Sequence, residues 1–159
     1  MKSILEIPVF APQDYFNNLI NSANKDNIER TYHDFSLFEF NLDETYCVYF
    51  YLLKSIPELG LDLLIDQVIP KAPVSLMFLD TDGEFDSDKT KSLYLKYIER
   101  YSTPIFLCTS KENSEQAEAF ATDLSLEKFG SKLLLFEASE PTSIKKVIIE
   151  ALKAITVEN

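Results

Sequence analysis

Glycine, histidine and cysteine are scarce in this chain, and basic residues fall short of acidic ones. The 159 residues hold three Gly, one His, two Cys, and 15 Lys and Arg against 26 Asp and Glu. Each shortage closes a route. Few glycines beside 46% hydrophobic and 13% aromatic residues exclude a low-complexity or disordered chain. A single histidine, His33, excludes a His-rich zinc site. Cys47 and Cys108 each lie inside an apolar strand-like run, with no CxxC spacing and no histidine near, so reduced, buried thiols are expected rather than a disulfide. The formal charge of −11 repels phosphate backbones and anionic lipid, which removes nucleic acid and membrane surfaces from the expected partners. The amino-terminal MKSILEIPVF is interrupted by Glu6 and Pro8, too short and too charged for a signal peptide or a spanning helix. A cytoplasmic protein is expected.

What is present is alternation. Apolar runs rich in β-branched and aromatic residues predict strands at Ser3–Phe10, Phe35–Leu42, Thr45–Leu53, Val74–Leu79, Pro104–Thr109 and Lys132–Phe136. Helical spacing appears between them, in the stretches 15–23, 61–68, 93–101, 117–124 and 144–155, each with one apolar face. Asp88 and Ser114 are placed to cap helix starts, Pro141 suits a first turn, and Gly130 suits a break after a helix. The second and third predicted strands are separated only by Asn41 to Glu44, too few residues for a crossover helix, so they pair as an antiparallel hairpin. Phe38, Phe40 and Leu42 alternate with Leu37, Glu39 and Asn41, which predicts a half-exposed strand near the sheet edge. The expected fold is a three-layer α/β/α domain over residues 1–159. Its sheet is six-stranded and mostly parallel, with one antiparallel hairpin.

That order of elements resembles the Ras-like small GTPase domain over essentially the whole chain. The likeness is strongest in the second half, in VSLMFLD, TPIFLCTSKEN and KLLLFEAS with the helices between and after them. Within the superfamily it is most similar to the bacterial gliding-motility branch. The resemblance implies a P-loop-NTPase-like domain, yet the short motifs that bind nucleotide in the family are damaged. Where GxxxxGK[ST] would close backbone N–H groups around phosphates, the chain has Pro8-Val9-Phe10-Ala11-Pro12-Gln13-Asp14-Tyr15, with neither glycine nor lysine. The DxxG counterpart is Pro57-Glu58-Leu59-Gly60, with proline in place of aspartate. The guanine-reading [NT]KxD falls on Ser110-Lys111-Glu112-Asn113, where Asn113 lacks the two carboxylate acceptors that read guanine. Ala138-Ser139 matches the family's SA[KL] position. The pattern describes a pseudo-GTPase without a cofactor.

Other constellations are weaker. Asp80, Asp82, Glu84 and Asp86 follow the fourth predicted strand, where ligands bind in open α/β sheets, and alternate carboxylates suit a hard cation. A solvated loop whose last acids favour a helix amino terminus electrostatically is the preferred explanation. His33 has Asp34 beside it but no placed nucleophile, so no triad is expected. On the third predicted strand, Cys47, Tyr49 and Tyr51 share one face and Tyr46, Val48 and Phe50 the other, and both faces are expected to be core beneath helices. In Ras-like proteins the hairpin edge and its flanking segments meet other proteins. The resemblance therefore implies an interface over Tyr32–Leu42 and Lys54–Gly60, with Tyr32, Phe35, Leu37, Glu39, Asn41, Glu58 and Gly60 as candidate contacts. The expected function is a nucleotide-independent adaptor, not an enzyme, whose partner is another protein. A metal-dependent enzyme or metal-regulated binder using the acidic loop, and a structural subunit of an assembly, are the alternatives.

Overall fold

Strand β1 (Ser3–Phe10) runs through the middle of one sheet, because both of its backbone edges are used. The computed structural model describes residues 1–23, 27–32, 35–53, 63–79, 86–137, 140 and 142–156. The chain continues through α1 (Gln13–Ala23), β2 (Ile28–Thr31), β3 (Phe35–Asn41), β4 (Tyr46–Leu53) and α2 (Leu63–Val68). It then forms β5 (Ser75–Phe78), α3 (Ser87–Arg100), β6 (Ile105–Ser110), α4 (Ser114–Asp123), β7 (Lys132–Phe136) and α5 (Ser143–Thr156). The sheet order is β2-β3-β4-β1-β5-β6-β7. β3 is antiparallel to both neighbours, β2 and β4, and every pairing from β4 to β7 is parallel.

The strand period of two divides the core in two. Leu5, Ile7 and Val9 of β1, with Phe38, Phe40, Val48, Phe50 and Leu52, face α1 and α5 and form the larger cluster. Phe10, Leu53, Met77, Ile105 and Leu107 face the other way, onto Tyr94, Tyr97 and Phe120 of α3 and α4. Phe16 of α1 is the centre of the first cluster, in edge contact with the rings of Phe38 at 5.2 Å and Phe50 at 5.4 Å. α2 is tied to α3 by Arg100, which donates twice to Asp66 at 2.7 Å, while the Tyr101 hydroxyl donates to the same carboxylate at 2.8 Å.

Four expectations are corrected here. The sheet has seven strands, not six. The added strand, β2, is the edge, so β3 is paired on both sides and offers no free backbone. Asp86, rather than Asp88, caps α3, accepting from the Lys89 N–H at 3.0 Å. Ser114 is already inside α4 and follows a 3₁₀ turn at Lys111–Asn113, so it is not the cap. Gly130 does close a short helical turn, in the left-handed region at φ 67°. Pro141 lies outside the described residues. Among the described residues, no helix is long and apolar enough to cross a membrane.

Candidate functional site

In an open α/β sheet the ligand crevice lies beyond the carboxyl ends of strands whose connections leave on opposite faces, which here means β1 and β5. β1 ends at Phe10 and α1 starts at Gln13, leaving only Ala11 and Pro12 between them. A phosphate loop takes about eight residues from its first glycine to its hydroxyl. Two residues cannot wrap a triphosphate. Pro12 has no N–H to offer, its carbonyl accepts from the Phe16 N–H at 3.1 Å, and Asp14 places a carboxylate in the first turn of α1. Below this turn the space is filled by rings: Phe78, the last residue of β5, lies 5.9 Å from Tyr15, 6.0 Å from Phe16 and 5.3 Å from Phe136 at the end of β7.

The strip at the guanine-reading position forms the 3₁₀ turn after β6. Asn113 Nδ2 donates to Ser110 Oγ at 3.5 Å, and the Lys111 ammonium sits 3.1 Å from Glu137. Lys111, and after it Glu140, hold the Glu137 carboxyl below its ordinary range. The one lysine that matches the family motif is thus engaged by an acid of this chain. Pro57 to Gly60, Ala138-Ser139 and His33 lie outside the described residues, as do Asp80, Asp82 and Glu84. Asp86, the described member of the acidic loop, is the α3 cap, and no group of three or more His, Cys, Asp or Glu that could hold a metal occurs among the described residues.

The interface candidates fare differently. Phe35, Leu37, Glu39 and Asn41 alternate along β3, so they fall on one face, opposite Phe38 and Phe40. Their cross-strand partners on β4 are Leu53, Tyr51, Tyr49 and Cys47, which continue the same face, and Glu6 of β1 lies beside Tyr49. Tyr32 joins them, its ring stacked on Phe35 at 4.8 Å, and Phe35 in turn lies 5.7 Å from Tyr51. The Tyr51 hydroxyl donates to Glu6 at 2.7 Å. Burial first, and the Glu6 carboxylate second, push the Tyr51 phenol up from its ordinary value. Burial likewise pushes up the Cys47 thiol, with Glu39 adding to the effect and Lys2 opposing it.

This corrects the expectation that both faces of β4 are core. Val48, Phe50 and Leu52 are fully buried or nearly so, whereas Tyr49 and Tyr51 are half-buried and Tyr46 is exposed. Cys47 is buried, as expected. Glu58 and Gly60 lie outside the described residues.

No protein-family model and no curated protein sequence matches the chain. Solved structures do. The chain is similar to nucleolar GTP-binding protein 1, so described, from Plasmodium falciparum, at a TM-score of 0.70 and 12% identity, covering 99% of this chain and 88% of that one. It is also similar to the G domain of the T. maritima FeoB iron transporter, with a TM-score of 0.59, 10% identity and coverage of 96% and 99%. A third likeness is to the FeoB G domain of Methanococcus jannaschii, with a TM-score of 0.55, 17% identity and coverage of 96% and 99%. The chain has a small-GTPase-like, G-domain fold. The expectation of a chain outside the enzymes is overturned by the same finding, because the structures that share this architecture are G domains and GTP-binding proteins.

Proposed function

We propose that this chain is a regulatory module of G-domain fold that acts by binding another protein, independently of a nucleotide held between β1 and α1. The observation that carries the reading is the two-residue connection Ala11–Pro12 in an otherwise complete sheet. Buried apolar area holds the scaffold, so it survives without the loop that grips phosphate. The surface offered to the partner is the face bearing Tyr32, Phe35, Leu37, Glu39 and Asn41, and the sequence that follows β4, with Glu58 and Gly60, is assigned to it from the family resemblance alone. The alternative readings, a metal-dependent activity in the 80–88 loop and a purely structural subunit, have no such observation behind them.

The test is capture of a partner by the immobilised chain with GTP, GDP or no nucleotide. Equal capture in all three supports the reading. Capture that requires GTP, together with release of phosphate, defeats it.

A further inference from the structure

The exposed face of the β1–β4 half has a chemistry of its own. Register places its side chains in rows: Arg30, Leu37, Tyr51 and Pro8 in one, then Ile28, Glu39, Tyr49 and Glu6, then Asn41, Cys47 and Ile4. Leu37 and Tyr51 border the α3 cluster, and the two further rows lie outside both clusters, although Cys47 is itself buried. Ile28 is 46% exposed and Ile4 57%. In the middle row, Glu39 and Glu6 stand on either side of Tyr49 as direct cross-strand neighbours, roughly 5 Å away at Cβ. Among the described residues neither carboxylate has an ion pair. Of the basic side chains at this face, Lys2 donates its ammonium to Asn41 at 2.9 Å and Arg30 stands one row away, opposite Leu37.

We infer that this face takes a basic segment of another protein, one whose arginine or lysine lies over Tyr49 between Glu6 and Glu39 while adjacent apolar side chains cover Ile4 and Ile28. A tyrosine flanked by two carboxylates presents a π-face and two charge acceptors to one cation, and a guanidinium satisfies all three in a single plane. The chain's charge of −11 attracts such a segment from a distance. The inference rests on the partner-binding reading above and adds the partner's chemistry.

A second copy of the chain is a poor occupant. The free edge is Ile28–Thr31, and antiparallel pairing of two such edges about a twofold axis sets residues of the same face opposite each other. The two registers that join three residues then place Glu29 against Glu29 or Arg30 against Arg30, and directly opposed like charges destabilise a ladder.

The experiment uses a displayed library of random-sequence peptides, selected on the full chain and then measured against Glu39→Gln, Glu6→Gln and Tyr49→Ser variants whose circular dichroism matches the parent. Selected peptides rich in Arg or Lys, which bind each variant at least about ten-fold more weakly and lose affinity as salt rises, support the inference. Selected peptides without basic residues that still depend on Tyr49 overturn the charge inference and leave the partner-binding face standing. Peptides that bind all three variants as well as the parent, or an empty selection, overturn both.

Discussion

The two faces of β3 and β4 are made by one continuous stretch, Phe35 to Leu53, and end in opposite environments. One carries Phe38, Phe40, Val48, Phe50 and Leu52, sealed under α1 and α5, and the other carries Leu37, Glu39, Asn41, Tyr49 and Tyr51, half-buried or exposed. The difference is one of side-chain type more than of hydrophobicity. Phenylalanine has no polar atom and fills the sealed face, while tyrosine brings a hydroxyl that needs a partner or water, and it lines the open one. On these two strands the half-buried rings of Tyr49 and Tyr51 carry hydroxyls, and the fully buried rings of Phe38, Phe40 and Phe50 do not.

Breaking the sealed face is expected to cost most. Phe16→Ala removes the ring that Phe38, Phe50 and Phe78 pack around, and should lower stability by about 3–5 kcal/mol in urea unfolding. Next is the tie between helices. Asp66→Ala leaves the mostly buried Arg100 and the Tyr101 hydroxyl without their shared acceptor, and should cost about 2 kcal/mol with faster amide exchange over α2.

Tyr97→Phe removes the buried bond from its hydroxyl to Ser75 Oγ, at 2.9 Å, and should cost about 1–2 kcal/mol at neutral pH. It should also change the alkaline limb. Burial raises the Tyr97 phenol above its ordinary value of 10.0, so the folded state favours the neutral form. That contribution is present in full below pH 10 and is lost as pH rises beyond it, where the unfolded chain ionises first. Urea midpoints followed upward from pH 9 should fall more steeply in the parent than in Tyr97→Phe. The smallest effect is expected on the open face, where Glu39→Gln should change stability by no more than about 0.5 kcal/mol while weakening partner binding. A loss of stability there comparable to that of Phe16→Ala would erase the distinction between the faces.

Much of this architecture was readable from residues alone. The alternation at 35–42 and 45–53, joined by a turn at Asn41 to Glu44 too short for a crossover helix, dictates the antiparallel hairpin, and the apolar stripes of 144–155 and 15–23 dictate the layer that covers it. β2 was not readable. Its Ile28-Glu29-Arg30-Thr31 is exposed at every position and buries nothing, so it leaves no hydrophobic period, and it forms because β3 has a backbone edge to pair with. The missing strand misplaced the edge onto β3.

The candidate site divides in the same way. Absent glycines at 8–15 were visible directly, and the two-residue length of the connection became visible only in the structure. The grouping of Leu37, Glu39 and Asn41 was implied by strand period, and Tyr32 was added by the family resemblance. Glu6 was missed, because it enters the face only through the pairing of β1 with β4 across a long sequence separation. The tyrosine-rich character of 46–51 was the available signal, and reading both faces as core hid it.

The central claim is that the β1–α1 connection no longer holds nucleotide, and isothermal titration of the ligand-stripped chain with GTP, GDP and ATP in magnesium tests it most directly. The account predicts no binding heat and no thermal stabilisation by any of the three. Saturable binding of micromolar strength would contradict it and show that a phosphate site has been rebuilt from other residues.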